Sequence, residues 1–418
     1  MTRAGVDDAS RLPRPFRRLW LGESVSSFGT YVTLLGLQVV VLRTLGGDAQ
    51  DVAWLSAVRW APYLLLGLFA GVVVDRFRRL PVMVATDGAC AALLALIPVL
   101  WWLGGLHVPA LLAVVAAYSA VALFNDAASM SFLPRLVPRG DLQRAHARLD
   151  GSDAVAQASG PVLAGLLIKV VGAPVAILVD AASYLFSALM MASVRVAEPS
   201  PAAVPRTPIG TQIRDGVRWI YRGTSLRRLA VGTHLWFAGN AVLGVAVPVL
   251  ALQTLQLTVI QFGFASAAAG VGALVGATLS TRAGRRWGTG GAVIAAHTVT
   301  TLGVLVMAGA AQGSGWAATA VLGSGQLLHG VAMGSSNSHE MSYRQAETPD
   351  GLQARTNITM RAANRAVVVL VAPVAGLLVA HAGPVVAILV AAAVFAVVVV
   401  VLAASPFRRA RIGPSEEP

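Results

Sequence analysis

A few ionisable and polar side chains stand inside long apolar stretches of this sequence, where a charge is costly and is a functional candidate by default. Two are carboxylates. Glu23 lies about 6–9 Å into the first apolar run at 1.5 Å per residue, either at the inner rim of a cavity or within reach of water or Arg17. Asp180 stands beside Ser183 and Tyr184. A carboxylate in a poorly solvated site is suited to take up and release a proton, unless the helix that bears it lies at the edge of the cavity. Asp87 and Asp126 lie near the ends of their runs and suit neighbouring arginines better than a substrate. Arg59 has three uses: binding an anionic group, pairing with an acid across a cavity, or snorkelling outward near Asp51. Arg361 and Arg365, one turn apart, suit an interfacial anchor, with Arg365 deep enough to reach the interior. His234, Trp236, Phe237 and Asn240 recur at helical spacing, either as a titratable lining or as plain packing. His297 and His329 are isolated in apolar runs and read as core histidines.

These residues make no enzyme. No His, Cys, Asp and Glu set has metal-ligand spacing, and no nucleophile stands beside a base. The single cysteine, Cys90, is inside an apolar run and reads as a small buried hydrophobe. The one lysine, Lys169, is not in a phosphate-binding Gly-x4-Gly-Lys-Ser/Thr loop, so the chain carries no ATPase. No metal and no cofactor is expected.

The elements that position such groups must be membrane helices. The 418 residues are 56% hydrophobic and 12% charged, with a mean hydropathy of +0.70; soluble domains carry roughly 25% charged residues. A net charge of +13 would suit nucleic acid, but 27 of the 32 basic residues fall in alternate loops and the two tails. That is the pattern that holds arginine loops in the cytoplasm, with anionic lipid as the incidental partner. Nucleic acid is therefore not expected.

Apolar runs long enough to cross a bilayer place spans at 19–42, 54–74, 81–103, 109–133, 149–171 and 174–194. Turns at Gly104-Gly105, Gln253–Thr258, Gln312–Gly315 and His381–Pro384 face outward, and an inner loop holds Arg282, Arg285 and Arg286. The expected plan is a cytoplasmic tail at 1–18, a six-helix bundle at 19–195, a linker at 196–226, a second bundle at 227–405 and a tail at 406–418. The linker carries four prolines and then Ile213, Val217 and Ile220 at helical spacing, an amphipathic helix at 209–221 on the inner surface. The polar start of the chain reads as a cytoplasmic tail and not as a cleaved signal.

The halves are copies. Ala164-Gly165-Leu166-Leu167 recurs as Ala375-Gly376-Leu377-Leu378, 211 positions on, and Gly172 recurs as Gly383. Arg17-Arg18-Leu19, Gly22 and Gly29 recur 210 positions on as Arg227-Arg228-Leu229, Gly232 and Gly239. Parallel six-helix halves put a substrate cavity between them near mid-membrane. The expected fold is all-α, with twelve transmembrane helices in two pseudo-symmetric six-helix bundles.

Between the second and third spans lies Gly71-x-x-x-Asp75-Arg76-x-x-Arg79. This stretch resembles the Gly-x-x-x-Asp-Arg-x-Gly-Arg-Arg loop of the major facilitator superfamily, with Arg78 in place of the second glycine and Leu80 in place of the last basic residue. The resemblance implies a gate in which Arg79 pairs with Asp126 and Asp75 faces the start of the eleventh helix. Gly160-Pro161-Val162-Leu163-Ala164-Gly165 resembles the fifth-helix element of drug antiporters, although a generic packing kink also fits it. The segments 132–138, 178–184 and 214–220 resemble the enterobactin-exporter-like branch. The implied function is secondary transport, proton-coupled efflux of a small molecule such as a drug, siderophore or secondary metabolite. Importer and non-transporting sensor remain as alternatives. The expected partners are a small-molecule substrate, protons and the lipid bilayer, for a monomer in the cell membrane with both termini cytoplasmic.

Overall fold

The computed structural model describes residues 12–74, 76–196, 198, 209–222 and 226–411. Among these the chain is almost entirely helical. The first crossing is α1 (Arg14–Val39) with a π-helical end at Val40–Thr44. The second is broken into α2 (Ala49–Leu65) and α3 (Gly67–Val74). Pro62 has no N–H for the helix ladder, and Gly67 follows the break. Then come α4 (Arg79–Trp102), α5 (Val108–Leu136) and α6 (Leu142–Val171). The sixth crossing is α7 (Ala173–Ala176) with α8 (Leu178–Ala192). After the linker helix α9 (Ile209–Tyr221), the second half runs through α10 (Leu226–Val249), α11 (Val259–Gly309), α12 (Gly315–Glu347), α13 (Asp350–Ala382) and α14 (Pro384–Ala403).

The α11 segment has 51 residues in two helical arms that join at Gly288, about 77 Å of helix summed at 1.5 Å per residue. That is more than twice a bilayer core of roughly 30 Å, so it supplies the eighth and ninth crossings. It is interrupted only at Gly288, whose φ of 70° suits glycine. Twelve crossings result. The loop expected around Arg282–Arg286 is therefore continuous helix: its charges project from a helix end that stands beyond the apolar core.

The two halves repeat in backbone detail as well as in sequence. The π-helical end of α1 recurs at Leu250–Thr254, after α10. Reciprocal capping by Asp48 and Asp51 at α2 recurs as Thr258 and Gln261 at α11. Gly172 and Gly383 end α6 and α13 with φ values of 82° and 84°.

Between the halves, α6 packs along α11, and α2 packs along α13 and α10. Many of the bridging contacts lie at the end away from the arginine clusters, called here the far end. There Arg43 donates to the Leu252 carbonyl (2.6 Å) and Gln253 to the Gly47 carbonyl (2.9 Å). Glycines let the backbones close up. A Cβ on Gly376 would lie 2.7 Å from that of Ala53, and one on Gly165 2.9 Å from the Val259 carbonyl.

Helix α9 lies in the stretch picked out by its apolar spacing, but it does not rest on its apolar face alone. Ile220 is buried, Asp215 pairs with Arg355 (2.8 Å), and Gly216 sits against the Arg355 carbonyl at the start of α13. Val217, on the expected apolar face, stays exposed.

Candidate functional site

A cavity of about 280 Å³ lies where the halves meet, lined by α1, α2, α10 and α13. From the first half come Leu34, Gln38, Ser56, Arg59 and Trp60; from the second come Trp236, Phe237, Asn240 and Arg365. Two guanidinium groups thus share one chamber. Arg365 lies with its guanidinium carbon 3.7 Å from the centre of the Trp60 ring and 5.7 Å from that of Tyr63. Arg59 is 5.3 Å from the same Trp60 ring. Desolvated cation–π contacts of this kind contribute about 2 kcal/mol. They offset part of the cost of holding a charge below the membrane surface.

The polar wall of α10 is built by its neighbours. Asn240 donates to the Trp236 carbonyl (2.9 Å), and its side-chain oxygen meets His329 Nε2 at 3.1 Å. The His329 ring stacks on Trp236, 11° from parallel. His329 therefore packs behind the cavity wall as a core histidine. His297, also buried, meets Glu340 at 3.3 Å.

Five of the expected residues converge on the cavity: Arg59, Trp236, Phe237, Asn240 and Arg365. Arg59 faces the chamber and not the outer surface. Arg365 reaches the cavity, where its guanidinium lies over the Trp60 ring. The other expected residues lie elsewhere. Asp180 is 0% exposed, packed against Gly29 of α1 and hydrogen-bonded by Ser183 (3.1 Å), inside the first bundle and outside the cavity lining. His234 bridges Asn364 of α13 (2.7 Å) and Tyr221 of α9, so it braces the linker helix and does not line the cavity. Glu23 accepts from Ser129 Oγ (2.9 Å) between α1 and α5, nearer the arginine-rich end.

The implied gate is arranged differently from its expectation. Asp75 lies outside the described residues. Asp126 accepts from Tyr63 Oη (2.8 Å), the partner seen for it in place of Arg79. Arg79 is buried, and its backbone N–H donates to Glu198 (2.7 Å). Gly71 has open space where a Cβ would stand, so no close backbone approach explains it here, and Arg76 is exposed. Asp87 accepts from Asn125 (2.6 Å), tying α4 to α5. The antiporter-like kink does have packing reasons. A Cβ on Gly160 would lie 2.6 Å from Tyr31 of α1, Pro161 offers its carbonyl to the Gly263 surface of α11, and Gly165 meets Val259.

Sequence reasoning missed Gln38, Ser56 and Trp60, which become neighbours of Arg365 only when the halves meet. It also missed Glu198. Both of its oxygens accept the first backbone N–H groups of α4, from Arg79 and Leu80 (2.7 and 3.0 Å), and Arg135 lies 3.7 Å away. One signal existed: the first turn of α4 carries no acid, so its unsatisfied N–H groups needed an acceptor from elsewhere.

The sequence profile of the Major Facilitator Superfamily matches residues 19–355. The chain belongs to this superfamily. As a member it is a multi-pass membrane transporter and not an enzyme. It is 25% identical over 381 residues to an uncharacterized MFS-type transporter, y4rN, of Sinorhizobium fredii, covering 88% of this chain and 89% of that one. It is 29% identical over 217 residues to the multidrug efflux pump Tap of Mycobacterium tuberculosis, about half of each chain (50% and 51%). Its fold is similar to that of a bacterial homologue of the iron transporter ferroportin in the inward-facing state. That likeness has a TM-score of 0.72 at 17% identity and covers 92% of this superfamily member and 98% of the neighbour.

Proposed function

We propose that this superfamily member exports a small molecule across the cell membrane by alternating access, in exchange for protons, and works as a monomer. The carrying observation is the cavity shared by the repeated halves, bridged on its far side by Arg43–Leu252, Gln253–Gly47 and the Gly376 and Gly165 contacts. With the arginine-rich loops and both tails in the cytoplasm, that bridge is the outer gate, and the chamber is in the state that loads from inside. The efflux activity named for the Tap relative favours the same direction. The chain has no nucleotide-binding loop, so an ion gradient is the source of work. Glu23 is the proton site in this reading: it is a carboxylate held between two crossings that, among the described residues, accepts from the Ser129 hydroxyl.

Two measurements check the reading. Reporter fusions at Gly105, Leu257 and Gly313 are expected to report outside; any two reporting inside would reverse the orientation. In everted vesicles with an imposed acid interior, a panel of anionic, cationic and neutral amphiphiles is expected to include compounds that dissipate the proton gradient and accumulate inside. Protein-dependent accumulation that is indifferent to collapse of the gradient would remove proton coupling. Gradient-driven depletion would make the chain an importer.

A further inference from the structure

We infer that the cavity selects organic anions: a carboxylate, sulfonate or phosphonate head on an aromatic or apolar body. The inference rests on the cavity being the transport site, but not on direction or coupling. Arg59 and Arg365 both line it, and no aspartate or glutamate does. Among the described residues neither guanidinium has a carboxylate within 4.0 Å or a hydrogen-bond acceptor of its own. Asp126 on the neighbouring α5 is engaged by Tyr63. The chamber therefore carries two positive charges whose N–H donors are unspent.

The geometry favours a head group between them. Trp60 covers one face of Arg365 and also neighbours Arg59, which leaves the planar edges, where the donors are, for a ligand. A guanidinium edge matches two oxygens of a carboxylate, sulfonate or phosphonate at once. The same two charges repel an ammonium ligand in a low-dielectric site. Trp236, Phe237 and Leu34 supply apolar wall for the rest of the molecule. Asn240 is committed to the Trp236 carbonyl and to His329, so it stiffens the wall and does not compete for the head group.

The assignment also bears on energetics. Moving a monoanion out while one proton moves in carries two positive charges inward per cycle. An inside-negative membrane potential pulls both inward, so it drives anion export in this exchange and opposes anion uptake by its reversal.

The test is equilibrium binding by calorimetry to the full chain in nanodiscs, with no gradient present, using 2-naphthalenesulfonate, 2-naphthylmethylammonium and neutral 2-naphthylmethanol. The sulfonate is expected to bind at least about tenfold more tightly than the other two. Arg59→Gln and Arg365→Gln should each weaken it by about an order of magnitude while leaving the alcohol unchanged. Equal affinity for the three probes would overturn the inference, as would undetectable sulfonate binding or sulfonate binding indifferent to Arg365→Gln. The ranking on the unaltered protein stands whether or not a variant folds. A failure here with gradient-driven flux intact would leave the export reading standing and remove only the substrate class.

Discussion

Replacing Gly263 with leucine is expected to force the far end of the protein apart and to shift its population toward the state open on that side. Gly263 of α11 faces the Pro161 carbonyl of α6 so closely that even one added carbon would overlap it. Gly270, two turns on, is equally tight against the backbone of Gln157 and Ala158, and Gly165 meets Val259 from the other side. Backbone atoms cannot rotate out of the way, so the helices must separate. Overpacking of this kind costs about 1–3 kcal/mol, which in a two-state equilibrium is roughly a 5- to 150-fold shift. The shift is read by labelling Gln38→Cys, a cavity position, with a membrane-impermeant maleimide from the far side in a Cys90→Ala background. The rate should rise with Gly263→Leu, and less with Gly263→Ala. An unchanged rate in folded protein would show that this seam is not the gate.

Glu23→Gln is expected to abolish proton-driven transport while leaving exchange of labelled for unlabelled substrate in place. Glu23 links α1 to α5 through Ser129, inside the half that rocks against its partner half in this reading. A carboxylate there can make the trip charged or neutral; an amide has only the neutral form, so the cycle loses its proton without losing its substrate path. Gradient-driven flux should fall by roughly tenfold or more, a change of about 1.4 kcal/mol or more. Asp180→Asn is the contrast. Asp180 is enclosed by Gly29 and Ser183 away from the cavity, so its replacement should lower stability and leave the pH dependence of flux unaltered. The reverse outcome would move the proton site to α8.

Much of the fold was legible in the sequence because lipid demands long apolar runs and leaves little choice of architecture. The bounds of α9 follow from Ile213, Val217 and Ile220, and the repeat of Gly172 at Gly383 reappears as a repeated backbone turn. Hydropathy, however, marks where a helix meets lipid and not where it ends. The residues around Arg282–Arg286, which carry loop-like charge, are helix up to the break at Gly288. The site was legible only in part. Arg59, Arg365 and Asn240 stood out as polar groups in apolar runs, but Gln38, Ser56 and Trp60 carry no local signal. They matter because α1 and α2 meet α10 and α13 around the cavity, a contact between halves about 200 residues apart. Asp180 is the opposite case: a buried charge is conspicuous in sequence whether it faces a cavity or a bundle interior, and here it lies outside the cavity lining, the alternative the sequence left open.

The claim that the two halves open alternately is tested most directly by a reversible lock on the far end. Ala53 and Gly376 face each other across α2 and α13, with a Cβ at position 376 falling 2.7 Å from that of Ala53. A disulfide needs about 3.5–4.5 Å between the two Cβ atoms, so a cysteine pair at these positions closes after a relaxation of about 1 Å. With the pair oxidised in the Cys90→Ala background, far-side labelling of Gln38→Cys should stop, and reduction should restore it. Labelling that proceeds at the same rate with the lock closed would contradict alternating access through this cavity.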